Sequence, residues 1–194
     1  MQLETWAQVE GLVENRIPEG PSVEYKLVLS LGPPAERAEV MKDLSGLGNG
    51  GGGILVYGIE EDPDEEGIPI ALRPLQDRGL LGVLEDVVRS SIRPPLLMDT
   101  RVLEGPGGFL LLVEVLRSPL GPYMVEAYGD RRYAIRVGSR TVPMTEQQVR
   151  DAYVLASRAR ERREEAWERH ALPMKAATSE AWLTVSGLPE EPLA

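Results

Sequence analysis

The stretch Gly48-Asn49-Gly50-Gly51-Gly52-Gly53-Ile54-Leu55-Val56-Tyr57-Gly58-Ile59-Glu60-Glu61-Asp62 sets five glycines around one asparagine, then an apolar run, then acids. Glycine runs let backbone approach a neighbour or a ligand closely. The order of the parts decides which chemistry is open. Gly46-Leu47-Gly48-Asn49-Gly50-Gly51 matches G-x-G-x-x-G in letters. A dinucleotide fingerprint, however, needs a strand before it and a helix after it. Here a helical pattern at 34–47 precedes and a strand follows. A P-loop needs Gly-Lys-Ser or Gly-Lys-Thr opening a helix, and no lysine lies between Lys42 and Lys175. No nucleotide cofactor is expected. The simplest structural reading is a helix C-cap and a tight turn into a buried strand.

Working outward, the chain of 194 residues holds one ordinary domain with extensions. It has no cysteine and a single histidine, His170. Thiolate chemistry, a Ser-His-Asp triad and a multi-histidine metal site are thereby disfavoured. No run approaches a membrane span, and the N-terminus lacks a basic flank. No membrane partner is expected. The composition, rich in arginine, proline and glycine, reads as a cytoplasmic bacterial protein. The formal charge of −10 opposes indiscriminate nucleic-acid binding. It is uneven: residues 1–67 carry fourteen acids against four bases, and residues 129–169 carry seven acids against ten arginines.

Periodicity predicts helices at 4–14, 34–47 and 77–92, and strands at 22–31, 54–59 and 68–72. Hairpins are expected at 96–103/109–116 and at 123–128/132–137, the second turning at Gly129-Asp130. A long polar helix at 144–170 opens through Thr145, with Gln148 three residues on as a capping partner. It would turn Val149, Tyr153 and Ala156 inward. The expectation is an α+β fold, a mixed and mostly antiparallel sheet with flanking helices and a C-terminal helical extension. The organisation reads as a helical extension at 1–17, an α+β domain at 18–143, a long helix at 144–172, and 173–194 as a tail or the start of a further segment. A short strand is expected at 181–185.

Four pieces in order carry a resemblance: Val23-Glu24-Tyr25-Lys26, a helix, Asn49-Gly50-Gly51-Gly52 with the strand ending Gly58-Ile59-Glu60-Glu61-Asp62, and Arg136-Val137-Gly138-Ser139-Arg140-Thr141. Over about residues 19–145 the chain resembles the Schlafen AlbA-like domain, also described as a DNA-binding or divergent AAA domain. The resemblance implies nucleic-acid binding, often in regulators of transcription. In animal Schlafen proteins it implies metal-dependent RNA cleavage by three carboxylates. By that resemblance Glu19 and Glu24 are the first two acids, with the family's spacing. Asp62 is the best third, and Glu60 and Glu61 are alternatives.

Such a triad suits Mg²⁺ or Mn²⁺, which take oxygen ligands and polarise phosphoryl oxygens. Lys26 would share the face of Glu24 and steady the charge on phosphorus. The candidate catalytic set is Glu19, Glu24, Lys26 and Asp62, with Glu19, Glu24 and Asp62 as metal ligands. The run 60–66 reads first as a solvated turn, and Glu24–Lys26 also reads as a surface ion pair. The candidate nucleic-acid set is Asn49, Arg131, Arg132, Arg136, Ser139 and Arg140, whose arginines read equally as partners of the chain's own acids. The expected function is nucleic-acid binding. The alternatives are a metal-dependent ribonuclease acting on tRNA or other structured RNA, and a small-ligand or protein-interaction module. The long C-terminal helix is a candidate homodimer contact.

Overall fold

Thr5 opens the first helix, α1 (Trp6–Glu14): its hydroxyl accepts from the Gln8 N–H, and the Gln8 side chain accepts from the Thr5 N–H. The computed structural model describes residues 3–127 and 130–177, with side chains for 3–126 and 131–169. After α1 come β1 (Val23–Lys26), α2 (Pro34–Asn49), β2 (Gly53–Tyr57), β3 (Ile59–Glu61) and β4 (Pro69–Leu72). Then follow α3 (Leu80–Ser91), β5 (Ile92–Arg93), β6 (Met98–Gly105), β7 (Gly108–Val115), β8 (Met124–Ala127), β9 (Asp130–Val137), β10 (Arg140–Pro143) and α4 (Glu146–Ala177).

The fold is α+β, as the sequence predicts, but the strands divide. One sheet runs β1-β2-β7-β6, a second runs β10-β9-β8-β5, and β3-β4 form a ribbon. Only β1–β2 is parallel. Every β2 residue after Gly53 is buried, and alternation sends them to two cores. Leu55 and Tyr57 join Leu44, Leu47, Leu84 and Leu111. Ile54 and Val56 join Val9, Leu12, Tyr25 and Leu112. The first sheet is therefore covered on both faces.

The predicted strand at 22–31 is cut to four residues. The Gly58 N–H bonds the Lys26 carbonyl, β2 has ended, and the chain leaves the sheet with Leu27 exposed and Leu29 and Leu31 buried. The predicted strand at 54–59 is broken by Gly58, whose φ is +96. The turn Gly138-Ser139 leads into β10, a strand that periodicity does not mark. The Thr145–Gln148 cap forms as expected.

Helix α2 lies against β8, β9 and β10. A side chain at Gly46 would fall 2.5 Å from Thr141 Cγ2, and one at Gly48 would fall 2.8 Å from Tyr123. These two glycines let the second sheet lie directly on the helix. Residues Met1–Ala156 make one compact unit and Ser157–Ala194 another; of the second, only helix is described. The turn residue Gly129 and the predicted strand at 181–185 lie outside the described residues. Among the described residues, no helix is long and apolar enough to cross a membrane.

Candidate functional site

Two of the predicted acids do converge, and an arginine holds them. Arg136 on β9 is buried, with its side chain 1 % exposed. Its Nη1 donates to Glu24 Oε2 at 2.5 Å and its Nη2 to Glu19 Oε2 at 3.1 Å. Nε bonds the Gly20 carbonyl at 2.8 Å and Nη2 the Val23 carbonyl at 3.1 Å. The planar fork spends its donors on two carboxylates and two backbone oxygens. The other oxygens are also taken. Glu19 Oε1 accepts the Tyr25 N–H at 2.6 Å, and Glu24 Oε1 lies 2.7 Å from Lys26 Nζ. Burial, opposed by the Tyr25 N–H, pushes the Glu19 carboxyl above its ordinary range.

The cluster runs on to Asp43 of α2, a residue absent from the predicted site. Lys26 Nζ is 3.7 Å and Lys42 Nζ 3.9 Å from the Asp43 carboxylate. Asp43 is only 6 % exposed. Burial, and then the charge of Glu24, raise its pKa to about 7 against the pull of both lysines. Burial also works against the charge on Lys26, but Glu24 beside it prevails and holds its pKa above the ordinary value. The Tyr57 hydroxyl lies in the same interior without a hydrogen-bond partner; burial, then Asp43 and Glu24, raise its pKa. One signal for Asp43 was available: it sits between Val40 and Leu47 on the buried stripe of α2, where a carboxylate needs a partner.

Asp62 stands elsewhere. It caps its own turn by accepting the Asp64 N–H at 3.0 Å and meets Arg16 at 3.1 Å. Those contacts, the Asp64 N–H first, lower its pKa. Glu60 pairs with Arg73 at 2.7 Å. Of the three acids Glu61 is the one whose charge reaches Glu19, though it is engaged by the Gly67 N–H at 3.2 Å. A divalent cation needs open carboxylate oxygens. Glu19 and Glu24 present oxygens already bound to guanidinium, ammonium or backbone, and Asp62 faces Arg16. Among the described residues no three such groups are arranged to hold a metal ion. In this arrangement the oxygens of Glu19, Glu24 and Asp62 are engaged by Arg136, Lys26, Arg16 and backbone N–H groups, so these residues as placed do not fit Mg²⁺ or Mn²⁺.

The nucleic-acid set divides by strand parity. Arg136 faces inward and offers no donor to a phosphate. Asn49 clamps the backbone around it. Its amide donates to the Tyr123 and Ala134 carbonyls at 2.8 and 2.7 Å and accepts the Tyr123 N–H at 2.7 Å, joining the end of α2 to β9 and to the residue leading into β8. The glycines beside it answer to the chain itself: a side chain on Gly52 would meet the Val115 carbonyl at 2.8 Å.

Arg131, Arg132, Ser139 and Arg140 remain exposed. Arg131, Tyr133, Ile135 and Val137 share the outer face of β9. Register places Arg140 opposite Val137 on β10, so it shares that face. The Tyr133 hydroxyl lies 2.8 Å from that of Tyr153 on α4, with the rings edge to face. Tyr153, predicted inward, is 51 % exposed. Burial, then Tyr153, raise the Tyr133 pKa to about 12, and the positive charge of Arg131 opposes them. Arg131 meets Glu126 at 3.1 Å and Arg140 meets Glu66 at 2.8 Å, both in open solvent.

A family model described as Schlafen, AlbA_2 matches residues 19–145. Among solved structures, the N-terminal domain of a RecG-related protein from Nitrosomonas europaea aligns with a TM-score of 0.52 and 18 % identity, over 71 % of this chain and 92 % of that one. The DIP2311 protein from Corynebacterium diphtheriae aligns with a TM-score of 0.45 and 21 % identity, over 71 % of this chain. The match spans only 26 % of DIP2311. No curated protein matches the chain.

Proposed function

The chain belongs to the Schlafen AlbA_2 family, and from that membership we propose that it binds single-stranded nucleic acid on the outer face of its second sheet. One observation carries the reading: a partly exposed strand face with Arg131 beside the half-buried Tyr133 toward one end and Arg140 at the other. An aromatic ring on an open sheet face gives a base something to stack on, and arginines along the same face track the backbone. Phosphate contacts need no sequence at the bases. The carboxylates that already pair with these arginines are solvated. Exchanging them for phosphate trades one exposed ion pair for another at little cost. The overall charge of −10 works against long-range attraction, so binding depends on local contacts and weakens steeply with salt. Cleavage is no part of this reading, because Glu19 and Glu24 are held by Arg136 and Lys26 and Asp62 by Arg16.

The test is fluorescence anisotropy with labelled 15-nucleotide oligouridylate and oligothymidylate across a salt series. The Arg131→Ala, Arg140→Ala variant should bind about tenfold more weakly. Its slope of log K against log salt should fall by about 1.4, because two phosphates of a single strand are no longer neutralised. Its melting temperature should match the parent. No binding by the parent at about 50 mM salt would refute the proposal.

A further inference from the structure

On the opposite side of the first sheet, α1 and the β6–β7 hairpin border a groove of about 340 Å³. Its apolar walls are Trp6, Val13, Pro74 and Pro106, and Glu10 and Glu14 stand along its rim. The indole is fixed from beneath. A side chain at Gly105 would collide with three atoms of the six-membered ring, so the ring rests on bare backbone. The indole N–H makes no hydrogen bond among the described residues, and neither Glu10 nor Glu14 has an ion-pair partner there. Helix α1 carries these two acids and no base. Spaced four apart, they lie on one side of the helix.

We propose that this groove docks an extended, proline-rich segment of a partner protein that carries arginine or lysine. Charge complementarity selects the occupant: two uncompensated carboxylates repel nucleic acid and acidic peptides and receive a cation. The floor selects the backbone. Prolines in a polyproline II segment lie against aromatic and proline walls at small entropic cost, because the segment is already extended before it binds. An open indole N–H then meets a ligand carbonyl, which an extended backbone leaves unpaired. Arginine beside the rim has both a carboxylate to pair with and the edge of an aromatic wall to lie along.

Calorimetric titration of the full chain with the peptide (Pro-Pro-Arg)₃ tests this, with (Pro-Pro-Glu)₃ and (Gly-Ser-Arg)₃ as controls. The first peptide should bind saturably and shift the Trp6 indole N–H resonance, and each control should bind at least tenfold more weakly. Glu10→Lys, Glu14→Lys should abolish the preference for arginine without changing the melting temperature. Gly105→Ala, which lifts the indole from its seat, should weaken binding even if the exposed acids are intact; Trp6→Phe should keep the fold and lose the N–H contact. Equal binding of (Gly-Ser-Arg)₃ would reduce the effect to charge alone and overturn the proposal. So would undiminished binding by the lysine variant, or heat that arises only from association of the protein with itself.

Discussion

Arg131 and Arg136 stand five residues apart on one strand and serve opposite ends. Arg136 is enclosed with Glu19 and Glu24 and holds β9 to β1. Arg131 is 70 % exposed beside a tyrosine, with a solvated partner in Glu126. The difference is parity: an odd step along a strand turns a side chain to the other face. Inside, the guanidinium is structural because every carboxylate it meets has lost water and must be paired. Outside, the same group keeps its hydration and its freedom to change partners. A basic residue in this sequence therefore announces binding only after its face is known.

Removing the inner arginine should have the largest effect. Arg136→Met leaves two buried carboxylates without a counter-charge, a loss of about 3–5 kcal/mol, or roughly 6–20 °C in melting temperature for a chain of this size. Adding Glu19→Gln and Glu24→Gln should recover part of it, because the penalty lies in the uncompensated charge. If Arg136→Met alone melts with the parent, the inner cluster is not the tie between the sheets. It also follows that an Arg136, Arg140 double substitution would lose nucleic-acid binding through unfolding, and so would report nothing about the outer face.

A second effect follows from Asp43. Its native pKa of about 7 is raised above the ordinary value of 3.8 by burial and by Glu24. Between those values the native chain keeps a proton that the unfolded chain has released. Stability from this group is therefore full below about pH 4, declines as pH rises towards 7, and is flat above. Glu19, also raised, tilts the curve the same way; Asp62 and Glu66, lowered, act below that window. The groups around Asp43 are Glu24, Lys26, Lys42, Glu39 and Tyr57. Melting curves from pH 4.5 to 8 should fall across the window in the parent and flatten in Asp43→Asn. Parallel curves would mean Asp43 is ionised throughout.

The sequence carried much of this fold and less of the site. Glu19 and Glu24 are paired by the family resemblance, and the glycine run reads as a turn into a buried strand, which is what it forms. Parity of β9 was the obstacle. Tyr133, Ile135 and Val137 look like an inward face, yet Val137 is 58 % exposed; the buried face is Ala134 and Arg136. The reason lies in α2, which packs against β9: Gly46 admits Thr141, Gly48 admits Tyr123, and Gly50 at the helix end lies against the Arg136 Cβ. Nothing in the strand itself records that. The acids at 60–66 pose a related problem: they form a turn with a register shift between Glu60 and Glu61, and the sequence alone does not tell that Glu61 is the one whose charge reaches Glu19.

The outer face allows the finest discrimination, through Tyr133. Its hydroxyl bonds Tyr153, an exposed neutral hydrogen bond contributing about 0.5–1.5 kcal/mol, and its ring is the surface offered to a base. Tyr133→Phe removes the first and keeps the second. It should lower the melting temperature slightly and leave the affinity for oligouridylate within about twofold, whereas Tyr133→Ala should weaken binding by the about 1–3 kcal/mol that stacking supplies. Equal losses in both variants would mean that the hydroxyl pair, and through it the placement of α4, sets affinity. Equal retention in both would move the nucleic acid off this face altogether and return Arg131 to its solvated pairing with Glu126.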